Sequence, residues 1–258
     1  MSIPRPTVAD EPHFLVRSYA ASMRDGAELP PHHHSWPQLL HAISGVMTVW
    51  TDGGSWIAPP GWAIWAPAGL LHGLRFSGNA EIRTIYLRPA SFGTVPLLPT
   101  VIRVTPLLRE LTLRAVDLGM LDDRVDTHRA LALLIATSLH TDATPAFDLP
   151  MPQSGALLAV ALRLQTHADR RESVATIASA CHMSVRSFQR SFLAETGIPF
   201  GHWRRHAVLI DALRLLAAGG SVKHAAARAG FRSASAFVVS FRAAFGTTPG
   251  QYFASASR

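Results

Sequence analysis

The sequence has a single cysteine, Cys181, so no disulfide can form within the chain. It has no apolar run approaching the roughly 20 residues that a membrane-spanning helix needs. The first residues, MSIPRPTVADEPHF, lack the hydrophobic core of a secretory signal peptide. These absences exclude a disulfide-stapled scaffold and predict a cytoplasmic protein with no membrane partner.

Charged residues are scarce, at 16% of the chain, and 48% of the residues are hydrophobic. This composition excludes intrinsic disorder, and 258 residues suffice for two domains, each with its own core. Acidic residues are rarest towards the C-terminus: residues 155–258 hold 4 acidic and 13 basic residues, against 13 and 11 in residues 1–154. The net charge of +7 therefore comes from the C-terminal part, which is typical of a nucleic-acid-binding module attached to a module that does not bind nucleic acid.

Residues 173–252 contain an internal duplication, with an offset of 48 residues that becomes 49 within a turn. Each copy has a small-residue helix, a tight turn and a second helix with phenylalanines on one face. In the second copy Ser233 is the predicted N-cap and Gly246 the predicted stop. The paired positions are Val174 and Val222, Ala178 and Ala226, Met183 and Phe231, Ser184 and Ser233, Phe188 and Phe237, Phe192 and Phe241, and Gly197 and Gly246. Each copy is therefore a predicted helix-turn-helix, whose second helix can enter a DNA major groove.

Residues 200–218, between the copies, carry Trp203, Ile210, Leu213 and Leu216 at helical spacing and predict a long connecting helix. The segments MSVRSFQRSFLAETG, ALRLLAAGGSVKHAAARAGF and FRAAFGTTPGQY resemble the AraC/XylS family of transcription regulators. The resemblance covers residues 173–252. It implies sequence-specific binding of double-stranded promoter DNA, with RNA polymerase as a further partner.

The second helix of the first copy, here called the first recognition helix, has a residue spacing that predicts which side chains contact bases. If Phe188 and Phe192 face the core, Arg186, Gln189 and Arg190 point outward, and such side chains bond bidentately to guanine and adenine. The second recognition helix offers less, with valine at position 239 where the family often has arginine. A solvated polar face, or phosphate contacts alone, is the competing interpretation. The predicted DNA-binding residues are Arg186, Ser187, Gln189, Arg190, Lys223, Arg232, Ser233, Ser235 and Val239.

The first 100 residues predict many short strands, because β-branched and aromatic residues alternate at 39–50, 56–67 and 82–87 between glycine and proline turn signals. Such a pattern is typical of a small barrel or jelly roll. Leucines at helical spacing then predict two amphipathic helices in residues 104–140. Residues 141–153, TDATPAFDLPMPQ, are the predicted interdomain linker. The predicted domains are therefore 1–140 and 154–258.

Two stretches resemble the cupin motifs. They are Gly26-x5-His32-x-His34-x3-Gln38-x6-Gly45 and Gly61-x5-Pro67-x-Gly69-x2-His72. The resemblance implies a two-domain α+β protein: a cupin-like β-barrel with packed helices, then an all-α double helix-turn-helix domain. It also implies that His32, His34, Gln38 and His72 hold one divalent transition metal, although Gln38 replaces the usual glutamate. Hydrogen bonding within the pocket, or contact with an organic effector, is the alternative.

The segments PQLLHAISGVMTVWT and APPGWAIWAPAGLLHGL together resemble the NimR-like subgroup of the AraC/XylS family. Trp50, Trp62 and Trp65 are candidate residues for an effector pocket, and burial in the barrel core is the competing interpretation. The resemblance further implies a homodimer formed through the helices of residues 104–140. Burial of those helices within one chain is the alternative.

The leading hypothesis is a transcription regulator whose N-terminal domain senses a small-molecule effector. A metal-dependent cupin enzyme is the alternative from another class, but an enzyme does not need the attached basic double helix-turn-helix. A DNA binder without effector control would leave the tryptophan-rich domain unexplained. Whether the protein activates or represses transcription stays open.

Overall fold

The computed structural model describes residues 13–89, 91–92, 95–139, 148–166 and 172–254. In these residues a strand-rich N-terminal part precedes a helical C-terminal part, as the sequence predicts. None of the helices in these ranges has the length and apolar character that a membrane span requires. The strands are β1 (Phe14–Met23), β2 (Glu28–His32), β3 (Gln38–Ala42), β4 (Val46–Thr51), β5 (Gly54–Ala58), β6 (Trp62–Ala66), β7 (His72–Ser77), β8 (Ala80–Leu87), β9 (Thr100–Arg103), β10 (Met120–Asp122) and β11 (Asp148–Pro150). The helices are α1 (Pro106–Leu118), α2 (Asp126–Thr137), α3 (Gly155–Thr166), α4 (Val174–Ala180), α5 (Val185–Thr196), α6 (Phe200–Ala217), α7 (Val222–Arg228), α8 (Ala234–Phe245) and α9 (Pro249–Ala254).

The strands form two antiparallel sheets. The six-stranded sheet has the order β10-β1-β8-β3-β6-β9, and the five-stranded sheet has the order β11-β5-β4-β7-β2. Among the residues that the structure describes, no strand pairing joins the two sheets. The predicted sheet-rich domain is therefore confirmed, whereas the closure of its strands into a single barrel is not seen.

Alternate side chains of the six-stranded sheet point to opposite faces and contribute to two different hydrophobic cores. Leu40 and Ile64 lie in the core shared with Met47 of the five-stranded sheet. Leu39 and Trp65, each one residue away along the same strands, lie in the core shared with α1 and α2. One face of the six-stranded sheet therefore packs against the five-stranded sheet, and its other face packs against α1 and α2. This follows from the strand geometry, in which successive side chains point to opposite faces.

Residues 39–50, a single strand-rich stretch in the sequence, form β3 and β4 in different sheets. The chain reverses between them at Gly45, which has a φ of 72°. A Cβ atom at this position would lie 2.7 Å from the Cβ of Ala80. Both the left-handed backbone and the close approach require glycine here.

Helices α1 and α2 pack on the outer face of the six-stranded sheet through Leu108, Ala115 and Ile135. Helix α1 begins at Pro106, and the Thr105 side chain accepts a hydrogen bond from the backbone N–H of Leu108. The opposite faces of both helices mix charged and apolar residues. Their exposed leucines are Leu107, Leu133 and Leu134.

The helical part contains both predicted helix-turn-helix units, α4–α5 and α7–α8, with α6 between them. Phe188, Phe192, Phe237 and Phe241 are fully buried, so one face of each second helix anchors it to the core. Burial of a large apolar side chain of this kind stabilises a fold by roughly 1.5–3 kcal/mol. The predicted N-cap at Ser233 and stop at Gly246 are confirmed, since Ser233 accepts from the N–H of Ala236 and Gly246 is left-handed.

Part of the predicted interdomain linker is a strand. Residues 148–150 form β11, which pairs with β5, and residues 141–147 lie outside the described residues. Leu149 is 1% exposed in the common core, and Pro150 accepts a hydrogen bond from the Trp203 indole N–H at 2.8 Å. An edge strand accommodates both a buried leucine and a proline, because the proline need not donate to the ladder. The three prolines of this segment were therefore not enough to identify an unstructured linker.

Candidate functional site

The first recognition helix, α5, presents a polar face opposite its phenylalanines. Ser184 caps it by accepting a hydrogen bond from the N–H of Ser187. Arg186, Gln189 and Arg190 are all exposed, while Ser187 is half-buried beside its cap. The structure therefore brings the three predicted base-contacting residues onto one accessible surface. The contact of each with a base stays a prediction.

The second recognition helix, α8, presents a poorer surface. Ser235 and Val239 are exposed, Val239 to 69%, and neither carries a charge. Ser233 is engaged as the N-cap, since its Oγ accepts from the N–H of Ala236 at 3.2 Å. Arg232 at the turn and Lys223 on α7 are also exposed and place positive charge beside the helix.

The turns of the two units share one backbone conformation. The left-handed position is Gly230 in the second unit, with a φ of 71°, and His182 in the first, with a φ of 55°. Matching hydrogen bonds close the turns, from the N–H of Met183 to Ala178 O and from the N–H of Phe231 to Ala226 O. Position 182 was missed in the sequence because glycine is the usual signal for such a turn and histidine is not.

Several charges of the helical domain are engaged structurally. Glu195, the one acidic residue of α5, accepts from the backbone N–H groups of Gln153 and Ser154, and these hydrogen bonds lower its pKa. Arg228 donates to Asp211 at 3.0 Å and so holds α7 on α6. Glu195 is thus held by Gln153 and Ser154, at the opposite end of α5 from Arg186.

Three predicted metal ligands meet between the two sheets. His32 ends β2, His72 begins β7 opposite it in the register, and His34 follows β2. The candidate ligand atoms of the three rings lie within 4.8 Å of one another. The fourth predicted ligand, Gln38 on β3, places its Oε1 atom 2.7 Å from His34 Nε2. The structure therefore assembles all four side chains from both sheets.

Backbone carbonyls fix the proton on each of the three rings. The Nδ1 atoms of His32, His34 and His72 lie 3.0, 2.5 and 2.8 Å from the carbonyl oxygens of Pro30, Trp36 and Leu70. A carbonyl oxygen only accepts, so each Nδ1 carries the proton and donates it. Nε2 of His72 is then left with a lone pair. Nε2 of His34 then also accepts, so its 2.7 Å contact with Gln38 is a hydrogen bond only when the amide is turned so that its NH₂ group donates.

Burial keeps two of these rings neutral. Burial is the main cause that lowers the pKa of His72 to about 4, with smaller contributions from the nearby His32 and His34 rings. Burial likewise lowers the pKa of His34 against the opposing effect of its hydrogen bonds with Gln38 and Trp36. Within the part of the chain that the structure describes, the buried Nε2 atom of His72 has no hydrogen-bond partner. The cluster thus offers unprotonated nitrogen donors.

Tyr86 was missed in the sequence, because it lies on β8, outside both motif-like stretches. Its hydroxyl accepts a hydrogen bond from Gln38 Nε2 at 2.8 Å, and this bond orients Gln38 Oε1 towards His34. Burial raises the pKa of Tyr86 to about 12, so its hydroxyl stays protonated. The β3–β8 register, which places Gln38 opposite Tyr86, is the feature that creates this contact.

The three predicted pocket tryptophans lie in different surroundings. Trp65 is fully buried in the core under α1 and α2, and its indole donates to Pro96 O at 2.7 Å. Trp50 lies against Gly73 on the five-stranded sheet. Trp62 lies beside Tyr252 of α9. None of the three contacts the histidine cluster in the hydrogen bonds and ring contacts of the described residues, and their role as an effector pocket stays a prediction.

Known proteins match both parts of the chain. A family described as "Helix-turn-helix domain" matches residues 177–255, and one described as "AraC-like ligand binding domain" matches residues 16–142. The HTH-type transcriptional regulator NimR of Escherichia coli is 28% identical over 225 residues, which cover 87% of this chain and 82% of NimR. The HTH-type transcriptional regulator RipA of Corynebacterium glutamicum is 33% identical over 114 residues, which cover 44% of this chain and 34% of RipA.

Among solved structures, ToxT from Vibrio cholerae is 11% identical, with a TM-score of 0.38, and the match covers 92% of this chain and 97% of that chain. The two family matches follow each other along the chain in the order of its strand-rich and helical parts. The chain therefore belongs to the AraC family of DNA-binding transcriptional regulators, with an AraC-like ligand-binding domain followed by a helix-turn-helix domain.

Proposed function

We propose that this regulator reads promoter DNA mainly through α5 and that a metal-centred site in its N-terminal domain senses the effector. The DNA part of the proposal rests on one contrast. Helix α5 exposes Arg186, Gln189 and Arg190, whereas the exposed residues of α8 include Val239 and small side chains. Bidentate hydrogen bonds to bases are available to the first set and not to the second.

The second helix-turn-helix unit then contributes affinity more than specificity. Lys223 and Arg232 are exposed beside α8, where they can bind phosphate groups of the DNA backbone. The methyl groups of Val239 can contact a thymine methyl, which discriminates weakly. Binding through phosphates releases counterions, so we expect the affinity to fall steeply as the salt concentration rises.

Selection of binding sites from random duplex DNA by the full-length protein tests the DNA part. We expect a site with one strongly specified segment under α5 and a weakly specified segment about one helical turn away. Equally strong base preferences in both segments would contradict the proposed division of labour. No enrichment of any sequence would contradict specific DNA reading altogether.

The sensor part of the proposal rests on His72. Its Nε2 atom is buried without a partner, while its Nδ1 atom is held by Leu70 O. In His32 and His34 a backbone carbonyl likewise holds Nδ1, which leaves Nε2 as the candidate ligand atom. With Gln38 Oε1 the donors are three imidazoles and one amide, a neutral set that suits a divalent transition metal.

A bound metal would offer the effector a Lewis-acidic contact, with Tyr86 supporting Gln38 through its hydrogen bond. A metal-free network is the competing arrangement. If the Gln38 amide were turned over, its NH₂ group would donate to His34 Nε2 and its oxygen would accept from Tyr86. That arrangement satisfies His34 without an ion, but it still leaves Nε2 of His72 unpartnered.

Elemental analysis of the untagged, full-length protein tests the sensor part. The protein is exposed to Zn²⁺, Ni²⁺, Cu²⁺ or Fe²⁺ and dialysed. We expect about one equivalent of one of these ions in the wild type and a loss of at least about ten-fold in a His32→Ala/His72→Ala double variant. His33→Ala is the matched control, since His33 lies between two proposed ligands but is exposed. Substoichiometric metal in the wild type, or equal metal in all three proteins, would refute the site.

The partners complete the proposal. Exposed Leu107, Leu133 and Leu134 on α1 and α2 support a homodimer formed through the N-terminal domain. Binding at a promoter would place RNA polymerase within reach of the regulator, in the cytoplasm. NimR and RipA are both named transcriptional regulators, which favours regulation over catalysis at the histidine cluster.

A further inference from the structure

The helical domain covers the outer face of the five-stranded sheet. Thr48 and Ser55 on that face are 5% and 2% exposed. Ser55 Oγ accepts a hydrogen bond from Gln165 Nε2 of α3 at 2.7 Å. Leu149 of β11 lies in the same hydrophobic core as Leu213 of α6. The ligand-binding and DNA-binding domains therefore share one continuous core.

The N-terminal domain and its connecting strand hold α6 near both of its ends. At the start of α6, the Trp203 indole donates to Pro150 O of β11. At its end, Ala217 lies against Gly78, where an added Cβ would come within 2.5 Å of Ala217 O. Helix α6 also contacts α3, α5, α7, α8 and α9. Its position therefore sets the placement of both recognition helices.

Arg214 makes the polar contact between α6 and the sheet. Its Nη1 donates to Gln165 O at 2.8 Å and its Nη2 to Thr48 Oγ1 at 3.3 Å. Its Nε atom is buried and has no hydrogen-bond partner among the described residues. Burial is the main cause that lowers the pKa of Arg214 to about 10, with Asp211 acting in the opposite direction and Arg75 in the same one. The side chain therefore remains charged at neutral pH.

The Arg214 side chain is half-buried with its Nε atom fully buried. A largely desolvated cation held by neutral partners contributes little to stability, because the loss of hydration offsets its hydrogen bonds. An apolar side chain of similar size would fill the same space without that cost. We call Arg214, Thr48 and Gln165 the Arg214 contact. Because it adds little stability, it is better suited to open and close than to hold the two domains together permanently.

The Arg214 contact and the histidine cluster lie on opposite sides of the same β4–β7 ladder. Thr48 pairs with Arg75 in the register, and Trp50 pairs with Gly73, directly after His72. Trp50 packs tightly there, since a Cβ atom on Gly73 would lie 2.4 Å from its ring. A change in the position of His72 consequently reaches the strand pair that carries Thr48.

The recognition surfaces are not covered by this packing. Arg186, Gln189 and Arg190 on α5 and Val239 on α8 are exposed while the two domains share their core. The N-terminal domain therefore cannot act on DNA binding by shielding these residues in this arrangement, whereas it can act through the position of α6.

We propose that Arg214 is a positioning residue for promoter recognition, which links the five-stranded sheet to α6 and through α6 to both recognition helices. The inference rests on the proposed function in taking α5 as the DNA-reading helix. Because coupling between sites is reciprocal, DNA bound at α5 must then stabilise the strand that carries Thr48.

Hydrogen exchange of the full-length protein, with and without a duplex selected from random DNA, tests this inference. We expect the amides of α5 and also those of β4 to exchange more slowly with DNA, in β4 by at least about five-fold, the lower end of usual coupling factors. Thr48→Val removes the hydroxyl acceptor and keeps the shape of the side chain, so it should abolish the protection of β4 and leave that of α5.

Thr51→Val is the matched control, because Thr51 lies on the same strand and bonds within its own turn. It should keep the protection of β4, and Arg214→Met should lose it. Unchanged protection of β4 in Thr48→Val, or protection of α5 without β4 in the wild type, would overturn the inference alone. Absence of protection in α5 would overturn the proposed DNA reading as well.

Discussion

His41 makes the N-terminal domain sensitive to acid. It lies on β3 and is 4% exposed. Burial is the main cause that lowers its pKa from 6.5 to about 4, and the positive charges of Arg109 on α1 and Arg83 on β8 add to the effect. Arg83 is itself ion-paired with Glu81 at 3.5 Å. Protonation of His41 in the folded domain therefore adds a desolvated positive charge to those of Arg109 and Arg83.

The sign and size of the effect of His41 on folding stability follow from the difference between its pKa values in the folded and unfolded chain. A folded-state pKa below the unfolded value means that the unfolded chain takes up its proton first as the pH falls. Stability is therefore lost from about pH 6.5 downward, and the loss is complete below about pH 4. A difference of 2.5 pKa units corresponds to about 3 kcal/mol in that limit and to about 2 kcal/mol at pH 5.

Urea unfolding of the wild type and His41→Leu at pH 7.5 and pH 5 measures this contribution. Tryptophan fluorescence reports mainly the N-terminal domain, which holds five of the six tryptophans: Trp36, Trp50, Trp56, Trp62 and Trp65. We expect His41→Leu to lose about 2 kcal/mol less than the wild type between the two pH values. The exposed His33→Leu should behave as the wild type does. Equal losses in all three proteins would refute the reasoning.

Two further predictions concern packing and assembly. Phe192→Ala empties a fully buried position between Phe188, Phe200 and Trp203 and should destabilise the helical domain by about 3–5 kcal/mol, measured by calorimetry; a loss below about 1 kcal/mol would contradict the packing. Leu133→Ser/Leu134→Ser should convert a dimer into a monomer in sedimentation at micromolar concentration, because both leucines are exposed on α2. A wild type that sediments as a monomer would rule out the proposed dimer.

The helical domain could be predicted almost element by element, because its signals are local. Ser233, Phe237 and Gly246 specify a cap, a buried face and a stop within one helix. The sheets could be predicted less well, since strand pairing joins residues distant in sequence. The separation of β3 and β4 into different sheets at Gly45 follows from contact with Ala80, 35 residues away.

The histidine cluster was predictable from the spacing of His32, His34 and Gln38 with His72. Its hydrogen-bonded support was not. Tyr86 reaches Gln38 only through the β3–β8 register, and Arg214 reaches Thr48 across 166 residues of sequence. Neither pair has a local pattern, because contacts between residues far apart in the sequence leave no periodicity in the chain.

The binding affinity of single variants for the selected DNA site tests the central claim most directly. We expect Gln189→Ala or Arg190→Ala to lose about 1–3 kcal/mol of discrimination between that site and a site with one base pair changed under α5, roughly 5- to 150-fold in affinity ratio. Val239→Ala, the matched truncation on α8, should leave the ratio unchanged. Loss of discrimination in Val239→Ala, with none in the two α5 variants, would contradict the account.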